Sequence, residues 1–295
     1  MDQFPKFLRR RCRLLLSCPI LQPGTSGSGF PLRWFAIMYS GDRLHMSEGP
    51  SSDFKVRREK AADADTSVAE LADLAADPHT GVRTSVAENA STPPETLKLL
   101  SRDSSEWVRA AVAVNPRTGQ DVALDLARDS AWYVRAQVGE HVRLDAETAL
   151  LLGQDAQIDV IRAVAQNHHF PLEAVSVIRN CGDEEALGNL ATNPKLDDDG
   201  VLDLLPKISS WKRMQIAERS TLSPALQEVL SKDEDSTVRA KLSENINVNP
   251  QLLRTLANDS DQDVRTAVHR NPSSDDDTKA MAVLLGVEKK VSLRD

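Results

Sequence analysis

The stretch WVRAAVAVNP, Trp107–Pro116, reads as one short helix with a hard stop. Val108 and Val112 are four apart and share a helical face, and Ala113 widens it. Asn115-Pro116 ends it, because the residue before a proline is pushed out of helical dihedrals. Near copies stand at Gly81–Ala90 (GVRTSVAENA) and Asp263–Pro272 (DVRTAVHRNP). They belong to a register that does not slip. From Val86, steps of 26 residues reach Val112, Val138, Val164, Leu190, Ile216, Leu242 and Val268, all aliphatic. Twelve residues before each stand Leu74, Leu100, Leu126, Leu152, Ile178, Leu204, Leu230 and Leu256. Just after each comes a small residue (Ala87, Ala113, Gly139, Ala165, Ala191, Ala217, Ser243), with His269 the exception. Several columns in phase are the signature of a repeat architecture.

Each unit holds two helical segments. The first is typified by TPPETLKLLSRD, with Thr92 as the expected N-cap, Pro93 and Pro94 in the first turn and Leu97 and Leu100 as the apolar stripe. The second is the quoted stretch. Neither is long enough to stand alone, and stacking lets each unit bury its neighbour's apolar face. A half unit at Val56–Asp63 is in phase, and part of another follows in DDDTKAMAVLLGV. The expected fold is an all-α solenoid of about eight 26-residue, two-helix repeats over residues 54–288. A linker at 46–53 precedes it and a tail at 289–295 follows.

The segments LARDSAWYVRAQV (126–138) and LLSRDSSEWVRAAVAVNP (99–116) carry D-x5-R followed by V-R-x-x-V-A-x-N-P. In tandem, this motif resembles the leucine-rich repeat variant family of bacterial proteins, within the wider HEAT-like helical repeats. The resemblance implies a right-handed superhelix of paired α or 3₁₀ helices. An iron–sulfur member carries a cysteine cluster ahead of its repeats. This chain departs there, because Cys12 and Cys18 cannot supply four thiolate ligands, so no cofactor or metal is expected.

Composition narrows the function. Of 295 residues, 36 are Lys or Arg and 44 Asp or Glu, for a net charge of −8. Residues 1–45 carry seven basic and two acidic residues, net +5, which leaves −13 for residues 46–295. A body that acidic is a poor phosphate-backbone binder. The leader 1–45 also holds six of the twelve aromatics. A secretory signal, an organelle transit segment and a start at Met38 or Met46 are three readings of it; the change of composition near Met46 favours the last. Three cysteines, Cys12, Cys18 and Cys181, argue for a reducing, cytoplasmic setting, and no run of 18 apolar residues crosses a membrane.

The repeated polar residues invite a functional reading that the spacing opposes. Arg83, Arg109, Arg135, Arg239 and Arg265 each follow an aspartate by six residues: Asp77, Asp103, Asp129, Asp233 and Asp259. An arginine tied to an aspartate is already neutralised. The favoured reading is a structural ladder, with Asp capping the second helix and Arg bonding it or its counterpart in the next unit. Asn89, Asn115, Asn167, Asn193, Asn245 and Asn271 form a second column, expected to satisfy backbone groups at the turn. His168-His169 reads as a solvated turn, and Cys181, in the place of a column Asp, as a small buried residue. No nucleophile motif, phosphate loop or zinc spacing occurs, so no enzyme activity is expected.

Binding is then expected at variable positions of the second helix: Trp107, Val114, Trp132, Tyr133, Gln137, Glu140, Trp211, Gln215 and Glu218. Trp107 and Tyr133 occupy one column in neighbouring units, as packing over the unit junction or as a recognition patch. The middle units, 155–220, lose Asp and Arg together, through divergence or to make a groove. The expected function is a non-catalytic scaffold for an unidentified protein partner, through its concave surface. The alternative is a HEAT-like nucleic-acid or base-excision protein, which the acidic body disfavours.

Overall fold

The computed structural model describes residues 52–141 and 143–291. The leader 1–45, nearly all of the linker 46–53 and residues 292–295 of the tail lie outside them. Among the described residues the chain is all-helical. The helices are α1 (Ser52–Ala62), α2 (Val68–Leu74), α3 (Thr80–Glu88), α4 (Pro94–Leu100), α5 (Glu106–Val114) and α6 (Gln120–Leu126). Then come α7 (Trp132–His141), α8 (Ala146–Leu152), α9 (Ile158–Gln166), α10 (Val175–Arg179), α11 (Glu184–Thr192) and α12 (Asp198–Leu204). The array continues with α13 (Ser210–Ala217), α14 (Pro224–Leu230), α15 (Ser236–Glu244), α16 (Pro250–Leu256), α17 (Gln262–Arg270) and α18 (Asp276–Val291). Even-numbered helices are the first of each unit and odd-numbered the second, so α1 is the in-phase half unit. α18 runs three residues past the expected end of the array at 288.

Short helices need strong ends. Ser67 and Glu70 form a reciprocal capping box on α2, and Asp145, Asp197 and Ser223 cap α8, α12 and α14. Pro94, Pro224 and Pro250 occupy first turns, where a missing N–H costs nothing. Thr92 departs from expectation. The N-cap of α4 is Pro93, and the buried Thr92 hydroxyl instead donates to the Val86 carbonyl at 2.6 Å, tying the loop back onto α3. Thr118 and Ser274 repeat this on Val112 and Val268.

Consecutive second helices pack on one another from α3 through α17, and first helices pack on the second helix of their own unit, while α12 packs on the preceding second helix, α11. The aliphatic column from Val86 to Val268 is fully buried, and so are Leu152, Ile178, Leu204 and Leu230 of the first-helix column. Leu74, in the first unit, is half-buried. The small column has a direct cause at Gly139. A Cβ there would lie 3.0 Å from Val164 Cγ2 and 3.2 Å from the Val164 backbone nitrogen, so α7 and α9 approach nearly backbone to backbone. The middle units are less regular. A 3₁₀ turn at Leu172–Ala174 replaces the start of α10, next to the fully buried Phe170, and another at Leu205–Lys207 follows α12.

Candidate functional site

The Arg and Asp columns meet between units. Arg109 Nε and Nη2 lie 2.5 and 2.9 Å from the carboxylate of Asp129, twenty residues on, and Nη1 donates to the Asp103 carbonyl of its own unit at 2.8 Å. Arg83 grips Asp103, Arg135 Asp155, Arg213 Asp233 and Arg239 Asp259 in the same bidentate way. Arg57, in the half unit, starts the series on Asp77. Each aspartate also accepts from the backbone N–H two residues later, at Ser105, Ala131, Gln157, Asp235 and Asp261. The aspartates therefore stand ahead of the helix N-caps and shape the turn that leads to them, where a direct cap was expected.

These pairs are mostly out of water: the Arg109 and Asp129 side chains are 15% and 7% exposed. Burial alone would raise the Asp129 carboxyl. The Arg109 hydrogen bond, the Ala131 N–H and the positive charge outweigh it and hold the group below the ordinary carboxylate range. The same balance lowers Asp77, Asp103, Asp155 and Asp259. Groups depressed in the folded state stabilise it above their unfolded value, about 3.9, and lose that contribution as pH falls through the folded value. Urea midpoints should therefore hold steady down to about pH 5 and fall below about pH 4. A midpoint that rises on acidification through that window would contradict the ladder.

The asparagines form a second interunit device. Asn115 Nδ2 donates to the carbonyls of Ala87 and Asn89, 28 and 26 residues back, at 2.6 and 3.0 Å, while its Oδ1 accepts from Arg117 N–H. Asn89, Asn193, Asn245 and Asn271 repeat the bridge, and Asn167 bonds Gly139. Each staple ties the end of one second helix to the end of the preceding one. All these helices stop in extended backbone at their asparagine, with or without a following proline, so the staple accompanies every stop and Pro116 only reinforces one. Where the column holds Arg219, its Nη2 reaches the equivalent Ala191 carbonyl at 2.6 Å.

The middle units replace one rung and omit another. Ile161 fills the arginine position, and the next residue, Arg162, pairs bidentately with Asp183, the N-cap of α11, at 2.8 and 2.7 Å. Asp159 and Glu185 join the cluster. Cys181, at the position of a column Asp, is half-buried where a buried residue was expected, and its Sγ lies 3.5 Å from Asp183 N–H. Leu187 and Lys207 leave no rung in the next unit. Lys212 replaces a core valine. Its stem lies over Gly188, its Nζ donates to Asn189 Oδ1 at 2.7 Å, and burial pushes its pKa below the usual lysine range. A Cβ on Gly188 would come 2.7 Å from Lys212 Cγ. Gly188→Ala should cost about 1 kcal/mol net of helix propensity, measured by urea unfolding. On a Lys212→Ala background the same change should be neutral or stabilising.

The variable positions line up as i, i+4 and i+7, one stripe along each second helix. On α5 it is Trp107, Ala111 and Val114; on α7, Tyr133, Gln137 and Glu140; on α13, Trp211, Gln215 and Glu218. Trp107 stacks on Tyr133 with centroids 5.2 Å apart and planes at 25°, and Trp132 meets Tyr133 edge-on at 6.1 Å. The three rings are half-buried across the α5–α7 junction. Burial and a hydrogen bond with Glu106 push the Tyr133 phenol far above its ordinary range. Gln137 and Gln215 are half-buried, Val114 and Glu140 exposed, and Trp211 is 49% exposed. Glu218 is exposed and paired with Lys241 of the next unit at 3.0 Å. The Trp107 cluster and Trp211 do not come together, because Asp159 and Glu185 hold the column between them. Trp132, a candidate beside Tyr133 in sequence, joins the cluster, whereas no spacing pointed to the Arg162 rung. Among the described residues no group of His, Cys, Asp and Glu is arranged to hold a metal ion, and no helix is long and apolar enough to cross a membrane.

Comparison with known proteins agrees with this geometry. Residues 80–105 match the family model described as leucine rich repeat variant. Comparison with curated proteins returns no match. Among solved structures, the chain is similar to one described as a leucine-rich repeat variant with a novel repetitive protein structural motif, at 25% identity and a TM-score of 0.54. That likeness covers 72% of this chain and 85% of that one. One unit of this chain, residues 80–105, thus matches the leucine-rich repeat variant model, and the helical stack is similar in fold to that solved variant over most of its length.

Proposed function

We propose that the chain is a non-catalytic, cytoplasmic scaffold that binds another protein through the variable stripes of its second helices, on the concave side of the stack. The observation that carries this reading is a division of labour. The Arg–Asp rungs and Asn staples are spent on neighbouring units, whereas the stripes vary from unit to unit and end in solvent. At α5 and α7 the stripe offers Trp107, Tyr133 and Trp132, ring types that anchor interfaces. The far end of the stripe carries exposed carboxylates at Glu88, Glu140, Glu218 and Glu244, the last two sharing the single ammonium of Lys241. That combination suits a partner surface presenting basic side chains beside aliphatic ones. Cys181 as a free thiol is compatible with a reducing compartment.

Crosslinking mass spectrometry on the natively expressed chain tests the reading. Crosslinks to a partner should map to the stripes of α5, α7 and α13. They should disappear in a Trp107→Ala/Tyr133→Ala variant whose far-UV circular dichroism is unchanged. Retained crosslinks in that folded variant, or tight duplex-DNA binding that weakens steeply with salt, would contradict it.

A further inference from the structure

The ladder is open at one end. Arg265 keeps half of a rung: its Nη1 donates to the Asp259 and Ser260 carbonyls at 2.7 and 3.0 Å, as Arg239 does to Asp233 and Glu234 at 2.7 and 3.3 Å. The residue is only 5% exposed, yet its Nε, the atom that meets a carboxylate in every complete rung, is buried without an acceptor. Twenty residues on stands Leu285. In every earlier unit with a complete rung that position is the aspartate of a turn, such as Asp259 after α16, except that Arg162 uses Asp183, whereas here α18 continues unbroken to Val291. On the same helix, Val283 and Leu284 are 47% and 61% exposed. Here α18 turns Val283 and Leu284 outward, and the guanidinium edge of Arg265 is unfilled. The opposite end differs: Arg57 bonds both Asp77 and Asp53, and Ser51 stands where a rung aspartate would be. A second copy stacking head to tail would bring Ser51 to the rung position, and its Asp53 is already paired with Arg57.

We propose that the C-terminal end of the array is a second docking surface, distinct from the stripes. It takes a polypeptide that places a carboxylate on Arg265 and an apolar helix face on Val283 and Leu284, in the position of a further unit. Planar, bidentate capture of a carboxylate is what this guanidinium does elsewhere in the array. A buried guanidinium edge without its carboxylate is unfavourable, and an incoming carboxylate would satisfy it.

The probe is a synthetic peptide spanning Glu228–Ile246 of this chain, which carries a rung aspartate, Asp233, and a second helix. It is titrated into the full chain by fluorescence anisotropy. The peptide should bind, and Asp233→Asn in the peptide should weaken it at least about tenfold, as should Arg265→Met in the chain. The peptide arm uses the unaltered chain, so it holds even where Arg265→Met disturbs folding. Absence of binding by the unmodified peptide, or equal binding by the two peptides, would overturn the proposal. So would binding that Trp107→Ala/Tyr133→Ala removes, since that would assign the peptide to the stripes.

Discussion

Arg109→Ala should destabilise the array by about 3 kcal/mol in urea unfolding, far more than an exposed ion pair would. The change strands the Asp129 carboxylate, 7% exposed, among backbone groups with only the Ala131 N–H left to satisfy it. It also frees the Asp103 carbonyl that Nη1 bonded. The effect should be local, because stability in a stack is close to a sum of unit and junction terms. The α5–α7 junction would weaken, and unfolding should lose cooperativity, seen as a shallower dependence on urea. Arg102→Ala is the matched control. Its guanidinium lies 4.0 Å from Asp125 with both side chains mostly exposed, and it should cost less than about 0.5 kcal/mol.

Asn115→Ala should cost about as much, 2–4 kcal/mol by the same measurement. Asn115 is 3% exposed and makes three bonds, two of them to carbonyls of the preceding unit. Alanine removes the donors and leaves the Ala87 and Asn89 carbonyls buried, where water cannot replace the lost partners. The variant should also expose the end of α3, so hydrogen exchange should quicken there before it does in α4. Pro116→Ala provides the contrast. The stop at Asn115 matches those at Asn89, Asn167 and Asn245, none of which precedes a proline, so this change should be nearly neutral.

The two devices show why the fold was legible in the sequence and the wiring was not. A period of 26 fixes which residues share a column, and burial followed from the columns: Val112 and Leu100 are where an apolar stripe would put them. A column cannot say which unit a side chain reaches. An aspartate six residues before Arg109 and one twenty residues after it are equally periodic, and only packing selects Asp129. Asn115 likewise reads as a local turn residue, while its donors cross to the unit before. Departures from register were harder still. Arg162 and Asp183 sit one and two residues off their columns and so looked like absence, although they rebuild the rung. Arg219 looked like a lost asparagine, although it reaches the same carbonyl. For the candidate site, the shared column placed Trp107 and Tyr133 on one edge. Their stacking and the edge-on contact of Trp132 depend on the α5–α7 crossing, which no spacing encodes.

If the repeated arginine holds the units together, its energy must be shared mainly with the carboxylate of the next unit's aspartate. A double-mutant cycle on Arg109→Met and Asp129→Leu measures that coupling directly by urea unfolding. The account predicts a coupling of about 2 kcal/mol or more, with the double variant more stable than either single one because the stranded charge is gone. Additive single effects, with no coupling between Arg109 and Asp129, would contradict it.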